Sequence, residues 1–208
     1  MASITSDNIT MRCSPMRASA NNDTMSQLTD IVNEEFGALF EHNKVVTLIR
    51  EFMRNAAVDG DGCTYTFWDG DDDCIRTEII ENTRIFFGNP NDRRVQLQPW
   101  IMIAKRLPVD EVKDRAEDND VSGAEIDNIK PDNDENSSLM QSYVDDKCTV
   151  LLYLKRDKQT RTIHAIEATK DVVIRKEWDL GIKLYPVTWL NWDYVQDCYH
   201  GQAMITGL

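Results

Sequence analysis

From Met25 to Ala57 the apolar residues recur at intervals of three and four: Leu28, Ile31, Val32, Phe36, Leu39 and Phe40, then Val45, Leu48, Ile49, Phe52, Met53 and Ala56. This spacing predicts helix over residues 24–58, as two helices meeting near His42-Asn43-Lys44. Ser26 or Thr24 is a candidate cap for the first helix and Asn43 for the second. At Asp59-Gly60 the period changes to two. The runs Cys63–Trp68 and Cys74–Glu81 flank Asp-Gly and read as a hairpin, and a further strand is expected at Val95–Leu107. Residues 59–107 are therefore expected to be mainly strands. A short helix follows at 108–118, with Pro108 at its first position and Asp110 and Glu111 in its first turn.

Residues 119–146 are acidic, rich in Asn and Ser, and poor in apolar side chains, which predicts an exposed acidic loop or lobe. Alternation resumes over 147–192. Two or three strands are expected first, with a polar turn at Lys155–Thr160, and Ile182–Trp192 is expected to close the same sheet. Residues 193–208 read as the start of a helical region, because Ala203, Met204, Ile205 and Leu208 begin an apolar face. The whole predicts one domain over residues 1–208 of class α+β, with N-terminal helices packed on a mostly antiparallel β body. The missing helix end at Leu208 predicts a chain cut off inside an element.

Composition narrows the function classes. The 208 residues hold 36 acidic against 23 basic side chains, a formal charge of −13, which disfavours a protein that grips nucleic acid through its phosphates. A negative wall still suits DNA that has to slide past it. No apolar run approaches the roughly eighteen residues a membrane span needs, so no membrane partner is expected. The five cysteines, Cys13, Cys63, Cys74, Cys148 and Cys198, are scattered and form no C-x-x-C pair, which excludes a zinc ribbon and predicts reduced thiols. His42, His164 and His200 show no ligand spacing, and no nucleophile elbow or phosphate loop is present. The aromatic residues gathered near the C-terminus, from Trp178 through Tyr185, Trp189, Trp192 and Tyr194 to Tyr199, are expected in a core or an oligomer interface.

The Asp-Gly clusters of Val58–Asp73 invite comparison with the calcium loop D-x-[DN]-x-[DN]-G-x5-E. From Asp59, Asp61 fits the third position, but Cys63 and Thr64 occupy the fifth and sixth. From Asp69, Asp71 and Asp73 fit, but Cys74 replaces the glycine and Ile80 the closing glutamate. The expectation is backbone geometry: Gly60 and Gly62 for positive φ or close approach between helix and strand, and Asp69-Gly70 for a turn. The alternative is a calcium-dependent binding or hydrolytic domain using Asp59, Asp61, Asp69 and Asp71. No catalytic, cofactor-binding or metal residue is predicted.

Two long phrases resemble one family. They are REFMRNAAVDGDGCTYTFWD with IRTEIIENTRIFFGNPNDRRVQLQPWIMIAKRLPVDEVKD, and IHAIEATKDVVIRKEWDLGIKLYPVTWLNWDYVQDCYHGQAMITGL. In order and wording they are similar to the portal proteins of tailed bacteriophages, in the branch from phages and prophages of Gram-positive gut bacteria. The likeness runs from about Met11 onward. It implies the wing part of a portal subunit, whose family members form a dodecameric ring at one capsid vertex and pass DNA without hydrolysing anything. It further implies as partners other copies of the chain, terminase, capsid or scaffold, and head-tail connector proteins, with location in the virion and, during assembly, the host cytoplasm. The family continues beyond the point matching Leu208 into stem, clip and crown, and has helices before the point matching ITMRCSP, so the resemblance implies a fragment.

Overall fold

The computed structural model describes residues 12–14, 23–70, 72–132 and 146–206. The fold is α+β, with helices preceding antiparallel sheets, as the change of period predicts. The described residues fall into two compact units, one drawn from residues 1–79, 186–193 and 202–208, the other from residues 80–185 and 194–201.

The first unit opens on α1 (Asp23–His42) and α2 (Val45–Asp59). Ser26 and Thr24 lie inside α1, which begins at Asp23. Between the helices Lys44 turns left-handed (φ 49°) and α1 is closed by Lys44 N donating to Glu41 O at 3.0 Å. Asn43 does not cap α2. Its amide reaches sideways, donating from Nδ2 to Leu39 O (3.0 Å) and Ile75 O (2.8 Å) and accepting from Thr77 N at 2.9 Å. α2 stops at Gly60, whose φ of 90° is unfavourable for any residue with a Cβ. Gly62 allows the close approach expected of it, because a Cβ there would lie 2.9 Å from the Phe52 ring and 3.0 Å from Phe52 O.

β1 (Asp61–Asp69) then runs between β2 (Cys74–Ile80) and β8 (Val187–Asn191). β1 and β8 are antiparallel, with Asp61 opposite Asn191 and Tyr65 opposite Val187. Ala56, Ala57, Cys63, Tyr65 and Val187 are buried in this unit. β8 therefore does not close the sheet formed by the strands just before it in sequence. Pro186 ends the run from Ile182, and its carbonyl accepts from Thr66 N at 2.9 Å beside β1. The expected helix after Asp193 does not form across 193–206. Those backbone groups are used elsewhere: Gln202 N donates to Asp193 O and Met204 N to Ala57 O, both at 2.9 Å.

The second unit is built on a five-stranded sheet in the order β3-β4-β5-β6-β7, antiparallel throughout. Its strands are β3 (Ile85–Phe87), β4 (Trp100–Pro108), β5 (Lys147–Arg156), β6 (Ile163–Ala168) and β7 (Val173–Asp179). β4 starts at Trp100 rather than Val95. Residues 95–97 make a 3-10 turn and Pro99 has no N–H to give a ladder. One sheet face is covered by α3 (Val109–Asp118): Val112 and Ala116 pack with Cys148, Val150 and Ile174. Pro108 caps α3 instead of occupying its first position, while Asp110 and Glu111 fill the first turn as expected.

The segment read as an acidic loop carries a helical turn, α4 (Gly123–Ile126), whose Ile126 joins Ile129 in the same core. A short apolar island in a polar stretch thus anchors it. The rest of that expected loop, 133–145, lies outside the described residues.

Candidate metal centre

The described aspartates among the four considered for a metal in the sequence, Asp59, Asp61 and Asp69, are not gathered at one point. Asp61 and Asp69 begin and end the nine residues of β1, so eight steps of about 3.3 Å put them roughly 26 Å apart. Asp61 is buried and accepts from Asn191 Nδ2 at 2.8 Å. Asp69 pairs with Arg76 Nε at 2.9 Å. Asp59 is the last residue of α2, and Asp71 lies outside the described residues.

A different trio does converge. His42 is the final residue of α1, Cys74 the first of β2, and Asp72 sits in the turn between β1 and β2. Their ligand atoms lie within 4.8 Å of one another, and Cys74 Sγ is 3.2 Å from His42 Nε2. Two local features bring them there. Asn43, next to His42, bridges Ile75 and Thr77 and so ties the end of α1 to the start of β2. Asp73 is left-handed (φ 50°), a conformation Asp tolerates better than most residues, and it reverses the chain between Asp72 and Cys74.

Arg76 sits over this turn, paired with both Asp72 and Asp69. The hydrogen bond and charge of Asp72 come first in holding its guanidinium above the usual arginine range. Imidazole nitrogen, thiol sulfur and carboxylate oxygen form a donor set of the kind used for zinc-like ions. Nothing in the sequence spacing signals it, since His42 and Cys74 are 32 positions apart.

The other titratable groups have structural surroundings. Burial, reinforced by Asp61, pushes the Cys63 thiol up to about 12, and burial followed by Asp132 raises Cys148. His164 lies 2.8 Å from Glu177 on the neighbouring strand β7. Of the clustered aromatic residues, Tyr185 is buried and its hydroxyl donates to Gln98 O at 3.1 Å, Tyr199 meets Phe87 at a tilt of 32°, and Trp178 lies under Arg175.

Asp157 and Asp179 organise the turns at the end of the β5–β6–β7 meander. Asp157 accepts from the N–H groups of Gln159 and Thr160 at 2.7 Å each, and Asp179 from Gly181 N at 2.8 Å and Thr162 Oγ1 at 2.9 Å. These donors, the backbone N–H groups foremost, favour the charged form and hold both carboxyls below the usual aspartate range. A depressed folded pKa means the stabilisation is present above the unfolded aspartate value and is lost as pH falls through the lower folded value. Carboxyl NMR titration is expected to give midpoints below 3.8 for both residues. Asp157→Asn should leave the Thr160 amide exchanging faster with solvent at neutral pH; unchanged exchange would mean the carboxylate does not hold the turn.

No helix among the described residues is long and apolar enough to cross a membrane. No protein-family model matches the chain, and no curated protein matches it significantly.

Proposed function

We propose that the chain is an assembly module, the wing part of a phage portal subunit, acting by joining other copies of itself in a ring rather than by catalysis. The observation that carries this reading is the pair of long phrases, Arg50 to Asp114 and Ile163 to Leu208, in the family's order. Their geometry supports it. Trp192 N, from the second phrase, donates to Gly60 O in the first at 2.9 Å, and Asn191 binds Asp61 at 2.8 Å, so residues carrying the resemblance also knit one unit together. On this reading Asp-Gly-Asp-Gly is a structural signature.

α1 supplies a surface suited to assembly. Met25, Leu28 and Ile31 lie at intervals of three and are about half exposed, at 49%, 53% and 55%. The occupant we assign to this stripe is a second copy of the chain, as a homomeric ring requires. Terminase, capsid or scaffold and head-tail connector proteins are the further partners. DNA passes through the ring, and the net charge of −13 discourages it from sticking. The location that follows is the portal vertex of the virion, with assembly in the host cytoplasm. Mass photometry and electron microscopy of the protein made from its complete reading frame should show rings of about a dozen subunits. Strictly monomeric particles would overturn the proposal.

A further inference from the structure

We propose that His42, Asp72 and Cys74 bind a zinc-type dication, which staples the end of α1 to the β1–β2 hairpin. This inference does not depend on the portal reading.

Three observations carry it together. First, the donors differ in kind: one imidazole, one thiol and one carboxylate select a borderline-soft ion over calcium or magnesium, which prefer all-oxygen shells. Secondly, the spacing suits tetrahedral ligation. With Zn–S near 2.3 Å and Zn–N near 2.05 Å, tetrahedral geometry puts the two ligand atoms about 3.5 Å apart; Cys74 Sγ and His42 Nε2 are 3.2 Å apart, and all three ligand atoms lie within 4.8 Å. Thirdly, the ligands arrive already restrained. His42 is followed by Asn43, whose amide is fixed to Ile75 O and Thr77 N, one and three residues beyond Cys74. Binding therefore has little chain entropy to remove.

Arg76 sets the exchange that accompanies binding. It pairs with Asp72 and also holds Asp69 at 2.9 Å. When the dication takes the Asp72 carboxylate, Arg76 keeps Asp69 as its partner and its charge stays compensated. The Cys74 thiol gives its proton to solvent as sulfur bonds to the metal, with no redox change. His42 and Asp72 are exposed, which leaves the fourth position to water.

The probe is Co²⁺, titrated into the reduced, metal-stripped full chain. A thiolate-to-cobalt charge-transfer band and the strong visible bands of tetrahedral cobalt are expected. Cys74→Ser should abolish the charge-transfer band, His42→Ala should abolish tight binding, and Asp72→Asn should weaken it roughly tenfold or more. Cys13→Ser and Cys198→Ser should leave the spectrum unchanged. In the unaltered protein, Zn²⁺ should slow alkylation of Cys74, mapped by mass spectrometry, without slowing that of Cys198. This readout needs no variant to fold. Absence of the band at millimolar Co²⁺, its survival in Cys74→Ser, or alkylation of Cys74 indifferent to Zn²⁺ would each overturn the site and leave a Cys–His hydrogen bond in its place.

Discussion

Leu154→Ala is expected to destabilise the unit of residues 80–185 and 194–201 by about 2–5 kcal/mol, the range for a large-to-small change in a core that cannot fully collapse. Leu154 has no solvent exposure and stands on the central strand β5, opposite Ile101 on β4 and Ala165 on β6, both also fully buried. Truncation removes apolar area from the middle of three adjacent strands. Ladder hydrogen bonds on both sides keep the backbone from moving in to fill the gap. Because the chain holds two compact units, a single unfolding midpoint is a poor measure. The suitable measurement is hydrogen exchange of β5 and β6 amides against urea. The midpoint for these amides should fall with little change in slope. Leu154→Met, which conserves volume, should cost less than about 1.5 kcal/mol. Equal losses for alanine and methionine would show that packing at this position is not what holds the sheet.

The same strand shows why some of the fold was legible in the sequence. In β5 the side chains of Cys148, Val150 and Leu154 are buried while Lys147 and Lys155 are exposed, and that alternation is written in the residue types. The helices were legible for the same reason, and Gly60 and Gly62 carried their own steric arguments. Alternation names a strand and its inner face but not the neighbour it pairs with. Val187–Asn191 alternates as clearly as β7, yet it pairs with β1, more than 120 positions away, and nothing in a period of two encodes that distance. β3 is only three residues long, too short for any period to show. The end of the chain misled for a related reason: Ala203, Met204 and Ile205 suit a helix face, but the hydrogen bonds to Asp193 and Ala57 compete for the backbone. The His42–Asp72–Cys74 trio was not legible at all. Its assembly depends on Asn43 bonding to β2, whereas local rules make Asn43 a helix cap. When a tertiary hydrogen bond takes over a capping residue, the sequence signal for the cap remains and the signal for the site is lost.

A second such junction joins the segment after α4 to the sheet, and Asp132→Ala is expected to cost it about 2 kcal/mol. The Asp132 carboxylate accepts from Arg106 Nη1 at 2.7 Å and from Thr149 N at 3.0 and 3.1 Å, while Arg106 Nη2 donates to Asp132 O at 2.9 Å. Arg106 and Thr149 face each other across β4 and β5, so one aspartate bridges a cross-strand pair. The Arg106 side chain is only 10% exposed and that of Asp132 29%. Removing the carboxylate therefore leaves the Thr149 amide without its acceptor and the guanidinium without its countercharge, holding only the neutral oxygens of Asp132, Lys147 and Thr149, whereas removing both charged partners leaves less uncompensated. Arg106→Met combined with Asp132→Ala should accordingly be no less stable than Asp132→Ala alone, although it carries one more substitution. The amides of Ile129 and Thr149 report the change by hydrogen exchange, since one belongs to the anchored segment and the other to the strand that holds it. If the double variant loses as much as the losses of Asp132→Ala and Arg106→Met added together, the pair is not coupled and the Asp132 carboxylate acts through the Thr149 N–H rather than through Arg106.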